Sequence, residues 1–234
     1  MATLEKKIAL NGVLKILTGI HVGDSKENVQ IGGVDATVVR RKDNNQPYIP
    51  GSSIKGKIRS LLEQAAGAPE VGGGMKRINE KGDKVDYKFA EKSLRVKEII
   101  SLFGFANDDI PSKLIVRDAY LTEGSAKELE KSPYTDYPFT EVKFENTIDR
   151  IKGSAGNPRK IERVPVGAEF KLEFIINKWS GDDESKLIEL LKDGILLLEA
   201  DYLGGSGSRG YGQVKVEMDF SSPITLYPKP STHA

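Results

Sequence analysis

The sequence predicts an α+β fold, and three observations support this prediction. Residues 8–16 and 170–176 alternate apolar with polar side chains, which is the period of two that a half-buried strand has. Two other segments, at residues 52–65 and 183–198, repeat apolar residues at the spacing of an amphipathic helix. Stretches rich in glycine, proline and charge separate these elements, so strands and helices alternate with long excursions.

The first half of the chain contains a strand at residues 8–16 and then a helix. Pro50 and Gly51 interrupt the chain before the helix, and either Ser52 or Ser53 can cap it. Because the apolar residues fall on one side of the helix, we expect it to cover one face of a sheet. This apolar side consists of Ile54, Ile58, Leu61, Leu62 and Ala65.

After residue 93 the sequence predicts two further helical segments and three more strands. A shorter helical segment at residues 94–103 precedes a predicted strand at residues 113–121. Residues 170–176 form the next strand, and Asp182 or Asp183 begins a helix whose apolar residues reach Leu198. Residues 214–218 alternate again and predict the last strand.

Two insertions interrupt this series, at about residues 66–93 and 122–165. Without them the order is strand, helix, strand, strand, helix, strand, which is the ferredoxin-like (RRM-like) βαββαβ arrangement. We therefore expect residues 1–234 to form a single domain, with one sheet, both main helices packed on it, and projecting insertions. Many unrelated functions use this arrangement, so the function has to come from particular sites.

The composition limits the available chemistry. Cysteine is absent, which excludes disulfides, thiolate metal sites and a cysteine nucleophile. The two histidines are His21 and His233, and His233 lies in a proline-containing tail, so a mechanism with paired histidines is not expected. The N-terminus shows no secretory signal and no apolar stretch is long enough to span a bilayer, which predicts a cytoplasmic protein.

The formal net charge is only +1, but the charges are unevenly distributed. Residues 40–59 contain six basic residues and a single acid, Asp43. This excess predicts a surface that faces phosphates, and an ordinary solvated surface is the alternative. The six basic residues are Arg40, Arg41, Lys42, Lys55, Lys57 and Arg59.

Residues 51–58 come close to the phosphate-binding loop of nucleotide triphosphatases, but Ile58 stands where that motif needs serine or threonine. The segment is better interpreted as a helix start, whose backbone N–H groups and positive dipole end attract phosphate. At helical spacing, Ser52, Lys55 and Arg59 form a polar stripe beside the buried face. Lys57 points elsewhere and is the weaker candidate for a phosphate contact.

A glycine loop at residues 204–212 lies between a predicted helix and a predicted strand and contains five glycines. The glycines allow the backbone to approach a polyanion, Arg209 supplies charge, and Tyr211 offers a surface for base stacking. A flexible connection is the alternative interpretation of the same loop.

Two other segments carry candidate residues. Asp35 lies in a glycine-containing loop at residues 31–37, which we expect to be flexible, although a lone surface aspartate is usually a turn or capping residue. A charged segment at residues 144–163 carries Ile148 and Ile161. Apolar residues on a projecting arm indicate contact with a neighbouring chain or with unstacked bases, and a solvated hairpin is the alternative.

Together these motifs resemble the RAMP (Cas7-like) backbone subunits of the Csm complex, the type III-A CRISPR effector. The resemblance rests on segments that follow one another in the same order from Thr18 to Gly212. These are TGIHVG at 18–23, GGVD at 32–35, YIPGSSIKGKIR at 48–59, TEVKFENTIDR at 140–150, NPR at 157–159 with Glu162 and Arg163, and the glycine loop.

The resemblance implies a subunit that binds guide RNA (crRNA), stacks with copies of itself and with other Csm-complex subunits, and cleaves complementary target RNA. The implied RNA-binding residues are His21, Ser52, Ser53, Lys55, Arg59, Ser208 and Arg209. The implied thumb-like arm splays the duplex of guide and target, through Ile148, Arg150, Arg159, Ile161 and Arg163.

The resemblance also assigns the cleavage of target RNA to Asp35, acting with a divalent metal, Mg²⁺ or Mn²⁺. The chain departs from the usual pattern at residues 39–43, which are more basic and can alter the position of the Asp35 loop. The sequence near Asp35 offers few further ligands, so we expect RNA to hold much of the metal. Two alternatives stay open: a scaffold subunit without catalysis, and a RAMP endonuclease that processes precursor guide RNA with His21 as the base.

Overall fold

The computed structural model describes residues 2–23, 33–67, 77–78, 84–85, 94–105 and 109–228. In this part of the chain the fold mixes helices and strands, as the sequence predicts. The strands are β1 (Leu4–Ile16), β2 (Tyr48–Ile49), β3 (Arg77–Ile78), β4 (Lys84–Val85), β5 (Leu114–Val116), β6 (Ala119–Tyr120), β7 (Glu141–Ile148), β8 (Ala155–Arg163), β9 (Glu169–Trp179), β10 (Val214–Met218) and β11 (Ile224–Tyr227). The helices are α1 (Gly51–Ala65), α2 (Leu94–Phe103), α3 (Glu123–Glu130) and α4 (Glu184–Ala200).

The main sheet has five strands, and its central path runs β10, β1, β9, β5. All neighbours on this path are antiparallel, and β11 pairs with the part of β1 that β10 does not reach. Leu10 lies opposite Phe174 and Leu14 opposite Phe170, so the alternating apolar residues of β1 and β9 meet on one face. All four strands predicted from the sequence contribute to this one sheet.

Helices α1 and α4 cover the apolar face of the sheet and enclose the core. Ile54 and Ile58 of α1 are fully buried, and each such side chain stabilises the fold by about 1.5–3 kcal/mol relative to an exposed position. The two helices approach closely at Gly194, where an added Cβ would lie 2.5 Å from Cγ2 of Ile58. Both amphipathic helices predicted from the sequence are present.

The strand predicted at residues 113–121 is in fact two strands. β5 pairs with β9, whereas β6 pairs with β2, and the break between them falls at Asp118. The carboxylate of Asp118 accepts a hydrogen bond from the N–H of Gly51 at 2.8 Å. The chain bulges away from β9 between Val116 and Leu121, which again bridges Phe170 of β9, and an apolar pattern alone does not reveal this bulge.

The predicted cap of α4 is confirmed, and the predicted cap of α1 is wrong. Asp183 caps α4, and its carboxylate accepts hydrogen bonds from the N–H groups of Ser185 and Lys186. In α1 the prediction is wrong, because Pro50 occupies the cap position and no side chain caps the helix.

Both predicted insertions contain secondary structure. In the first, β3 pairs with β4, and residues 68–76, 79–83 and 86–93 lie outside the described part of the chain. The second contains α3, which the sequence analysis missed and which Thr122 caps by accepting a hydrogen bond from Ser125, and the separate hairpin β7–β8. None of the helices in the described ranges has the length and hydrophobicity to cross a membrane.

Candidate functional site

Asp35 lies on the edge of β8 that does not pair with β7. Its Oδ2 accepts a hydrogen bond from the N–H of Lys160 at 2.6 Å, and its own N–H donates to the carbonyl of Lys160 at 3.0 Å. The N–H of Glu162 donates to the carbonyl of Ala36 at 2.9 Å. The expectation of a flexible loop is therefore wrong for residues 33–37, which are fixed against β8 while the Asp35 side chain stays exposed.

Glu162 organises the chain around Asp35. Its side chain is buried, and its carboxylate accepts hydrogen bonds from the Val38 N–H at 2.9 Å, from the Arg40 guanidinium at 2.5 Å and from the Thr140 hydroxyl at 2.6 Å. Three donors compensate a buried carboxylate that would otherwise be costly. In the sequence Glu162 stands out only as part of the resemblance, because an acid next to Arg163 gives no signal of burial.

His21 is anchored to the same edge of β8 as Asp35. Its Nδ1 lies 2.6 Å from the carbonyl oxygen of Glu162, and since a carbonyl oxygen only accepts, Nδ1 carries the proton and donates it. The carbonyl of His21 accepts a hydrogen bond from the N–H of Gly205 at 2.8 Å, which links His21 to the glycine loop. The fold thus brings His21, Asp35 and the glycine loop to one side of the molecule.

The arm is the hairpin β7–β8, and its outer part is highly exposed. Ile148 is 65% exposed, and Arg150 and Arg159 are also exposed, as a thumb requires. Phe144 and Ile151 are exposed as well, and the sequence analysis did not single them out. The apolar surface of the arm is therefore larger than the sequence analysis suggested.

Two predicted thumb residues lie at the base of the arm. Ile161 is only 7% exposed, so its prediction as an exposed apolar residue is wrong. It is buried because the Asp35 loop pairs with β8 at this point. Arg163 binds Oε1 of Glu141 through Nε at 2.5 Å, which holds the base of the hairpin together.

The polar stripe of α1 has partners within the protein. Lys55 donates to the Ser112 hydroxyl and to the Leu114 carbonyl, each at 2.7 Å, and burial, with the nearby charge of Arg59, lowers the pKa of its ammonium. Arg59 donates to Oε1 of the buried Glu63 at 2.7 Å. Binding of phosphate by Lys55 and Arg59 stays a prediction, and it would require them to exchange these partners.

Carboxylates within and beyond residues 40–59 neutralise much of the positive charge of this segment. Arg40 pairs with Glu162, and Lys57 pairs with Asp201 at 3.0 Å. Arg41 pairs with Asp43 at 2.5 Å. These contacts reduce the excess of positive charge that the sequence predicts for this segment, and whether the surface faces phosphates stays a prediction.

Within the glycine loop, Ser208 and Arg209 are exposed on a short 3₁₀ turn, Gly207–Arg209. Ser208 belongs to the implied RNA-binding residues and has its side chain in solvent. Arg209 lies 3.4 Å from a carboxylate oxygen of Glu145 in the arm. The loop therefore touches the arm through an ion pair whose arginine is exposed and whose carboxylate is largely covered.

Tyr211 is buried under the arm. Its ring centroid lies 4.3 Å from the Lys143 ammonium and 5.2 Å from the Arg163 guanidinium. Burial, together with the neighbouring carboxylate of Glu145, raises the pKa of Tyr211 to about 12. With 1% of its surface exposed, this ring offers no face for base stacking, so that prediction is wrong.

The residues around Asp35 fit a metal only in part. In the ranges that the structure describes, no three or more His, Cys, Asp or Glu side chains form a group able to hold a metal ion. Magnesium in phosphoryl-transfer sites is often bound by one or two carboxylates together with the phosphates of the substrate. The arrangement therefore fits a metal for which Asp35 is one ligand and RNA provides others.

Comparison with known proteins identifies the family. Residues 13–215 match the RAMP superfamily. The chain is 41% identical over 218 residues to the CRISPR system Cms endoribonuclease Csm3 of Methanocaldococcus jannaschii. This alignment covers 91% of this chain and 79% of that protein. This chain belongs to the Csm3 family of the RAMP superfamily. The resemblance found in the sequence is thus confirmed.

A second Csm3 relative supports the same assignment. The Csm3 protein of Streptococcus thermophilus is 42% identical over 217 residues, which are 90% of this chain and 87% of that protein. The fold also matches a chain in the cryo-EM structure of the type III-B Cmr-beta bound to cognate target RNA, with a TM-score of 0.60 and 16% identity. That match covers 91% of this chain and 61% of the other, and it concerns the fold alone.

Proposed function

We propose that this chain is the guide-RNA-binding backbone subunit of a type III-A CRISPR effector complex, and that it is an endoribonuclease that cleaves complementary target RNA. The observation that carries the proposal is the position of Asp35, an exposed carboxylate fixed on β8, the strand that continues into the arm. The relatives named CRISPR system Cms endoribonuclease Csm3 support it through their 41% and 42% identity.

The partners of the chain in this function are crRNA, target RNA, further copies of the chain and other Csm-complex subunits. In this proposal the start of α1 and the glycine loop hold guide phosphates, because the exposed Ser52 lies at the positive end of the helix dipole and Ser208 and Arg209 are exposed on the loop. The proposed RNA-binding residues are Ser52, Ser53, Ser208, Arg209 and His21, with Lys55 and Arg59 as candidates that must first leave their present partners. The outer arm separates guide from target, through Ile148, Arg150 and Arg159, with Phe144 and Ile151 extending its apolar surface.

In the proposed reaction, Asp35 is a metal ligand next to the phosphate that is cleaved. A divalent metal, Mg²⁺ or Mn²⁺, supplies neutralisation of charge on the phosphate and activation of the attacking group. The Lys160 N–H fixes Oδ2 of Asp35 before RNA arrives, so less conformational freedom is lost when the site assembles. The carboxylate of Glu162 keeps the following residues of the loop in place through the Val38 N–H.

We also infer that the core of the chain is ferredoxin-like. With β1, β5, β9 and β10 as its four strands, the order is fourth, first, third, second, with a helix after the first strand and another after the third. This order supports a single domain over residues 1–234 with insertions at about 66–93 and 122–165. A cytoplasmic location stays a prediction from the sequence.

Single-turnover cleavage of a guide-complementary RNA by the assembled complex tests this function. We expect Asp35→Asn to slow cleavage by about a hundredfold or more, on the scale of removing one important electrostatic group. Binding of the RNA should stay within a few fold, because one surface carboxylate contributes little to holding a polyanion. Asp43→Asn, in the neighbouring turn, is the control and should cleave at the normal rate.

The same experiment in the presence of a chelator tests whether cleavage requires a divalent metal. Cleavage should stop in chelator and return with Mg²⁺ or Mn²⁺. Normal cleavage by Asp35→Asn would refute the role of Asp35, and full activity in chelator would refute the role of the metal.

A further inference from the structure

Tyr202, at the end of α4, contacts both predicted RNA-binding elements. The ammonium of Lys57 in α1 lies 3.7 Å from the centroid of its ring. On the glycine loop, Gly207 packs so closely that an added Cβ would overlap three atoms of the same ring. A single aromatic side chain therefore joins α1 to the glycine loop.

Lys57 is held in this position by a second contact. Its ammonium also pairs with Oδ2 of Asp201 at 3.0 Å, and its side chain is only 21% exposed. Asp201 and Tyr202 are consecutive residues at the stem of the glycine loop, so Lys57 binds that stem at two points. These two partners already compensate the positive charge of the Lys57 ammonium. Contact with an RNA phosphate would therefore add little to its interaction free energy.

The contact at Gly207 determines where the exposed residues of the loop lie. Gly207 begins the 3₁₀ turn that carries Ser208 and Arg209, and the flanking residues Ser206 and Gly210 adopt left-handed φ values of 62° and 85°. Gly207 itself does not adopt a left-handed φ, so it is required for space against the ring and not for backbone freedom. The ring thus sets the position of Arg209.

We infer that Lys57 and Tyr202 are positioning residues that hold the glycine loop in the geometry in which it binds guide RNA, and that Lys57 is not itself a phosphate ligand. The inference rests on the proposed RNA-binding function. The positive charge of Lys57 holds the loop through its contact with the Tyr202 ring. An arginine at position 57 would preserve this cation–π contact, whereas an uncharged side chain of similar length would not. Space beside the ring is the second requirement, and only glycine meets it.

The salt dependence of RNA binding distinguishes a lysine that binds a phosphate from a lysine that only positions the loop. The test measures binding of a mixed-sequence single-stranded RNA to the full chain at several salt concentrations, for wild type, Lys57→Met and Lys57→Arg. We expect Lys57→Met to weaken binding about three- to tenfold with an unchanged salt slope, and Lys57→Arg to restore it. Loss of a phosphate ligand would instead lower the slope by about 0.7. Lys192→Met, at an exposed site on α4, is the control and should bind as wild type.

A double-mutant cycle tests the contact between Gly207 and Tyr202. Gly207→Ala alone should weaken binding about tenfold, because the loop must move away from the ring. In a Tyr202→Leu background the same change should have no further effect, because the ring that it would meet is gone. Thermal melting of each variant shows that the chain is still folded.

The outcomes distinguish this inference from the proposed function. A wild-type chain that does not bind RNA would refute the function itself. If wild type binds and Lys57→Met either binds equally well or lowers the salt slope, the positioning role is wrong. Additive effects of Gly207→Ala and Tyr202→Leu would also overturn it.

Discussion

The N–H of Lys160 donates to the carboxylate of Asp35 at 2.6 Å, which ties the candidate catalytic side chain to the arm strand β8. An asparagine at position 35 keeps an oxygen for this bond, whereas alanine removes it. We therefore expect the Lys160 amide to exchange hydrogen at nearly the wild-type rate in Asp35→Asn and about tenfold faster in Asp35→Ala. Both variants should lose cleavage. Equal protection in Asp35→Ala would show that the bond does not hold the loop.

Glu162 should be important for stability. In Glu162→Ala the buried ends of Arg40 and Thr140 lose their acceptor, so we expect the free energy of unfolding to fall by about 3–5 kcal/mol. Glu162→Gln keeps one acceptor oxygen and should cost about 1–3 kcal/mol. Denaturant unfolding measures both, with Glu189→Gln on the exposed face of α4 expected to stay within about 0.5 kcal/mol of wild type. A loss for Glu162→Ala no larger than for Glu189→Gln would contradict the assigned role.

The ion pair between Glu145 and Arg209 should compete with RNA. Since Glu145 places a carboxylate 3.4 Å from Arg209, we expect Glu145→Gln to tighten binding of single-stranded RNA about two- to fivefold, the scale of a solvent-exposed ion pair. Arg209→Gln should weaken binding and lower the salt slope by about 0.7. Glu217→Gln, exposed on β10, serves as the control. Weaker binding by Glu145→Gln would mean that the acid supports the loop and does not compete with RNA.

Tyr211 should make stability fall at high pH. Its pKa is raised from 10 to about 12 in the folded chain, so above pH 10 the unfolded chain loses this proton while the folded chain keeps it. The contribution of Tyr211 is therefore complete below pH 10 and is lost as the pH rises toward 12. Between these values wild type should lose more stability than Tyr211→Phe, measured by denaturant unfolding. Tyr134→Phe, 87% exposed, should behave as wild type, and parallel curves for all three would refute the shift.

The tip of the arm should contribute to assembly or cleavage and not to stability. Ile148 pairs with Ala155, so residues 149–154 can be replaced by a two-residue Asn-Gly turn that closes the same hairpin. We expect the Tm of the isolated chain to change by less than about 2 °C while the regular cleavage of target RNA is impaired. A deletion that extends to Lys160 should instead lower the Tm, because it removes the partner of Asp35. A large loss of Tm from the tip replacement would show that the tip belongs to the core.

The sequence predicts the elements of the core well because their burial is periodic. Ile8, Leu10 and Phe174 are buried at the alternating positions that define their strands. The break at Asp118 and the helix α3 were missed, since each depends on a hydrogen bond to a side chain, Asp118 to Gly51 and Thr122 to Ser125. Periodicity does not report such contacts.

The sequence predicts which residues belong to the candidate site better than it predicts the contacts that these residues make. The sequence indicates Asp35 and His21 as candidate residues. It does not indicate that both bind backbone groups on the same edge of β8, which only the fold shows. The partners of Lys55 and Arg59 could not be predicted, because Leu114 is far away in the sequence and the burial of Glu63 depends on packing. A count of charges along the sequence omits these partners and overstates the free positive charge.

Strand β8 carries both the anchor of Asp35 at Lys160 and, at its other end, the exposed part of the arm. Since a strand rises about 3.3 Å per residue, Lys160 and Ala155 are separated by at most about 17 Å along β8, whose pairing with β7 shifts register between them. Wherever an arm enters a duplex, the carboxylate of the same subunit then lies at a constant offset from that point. A row of identical subunits would therefore act as a ruler, with cuts spaced by the repeat of the protein and not by the sequence of the RNA.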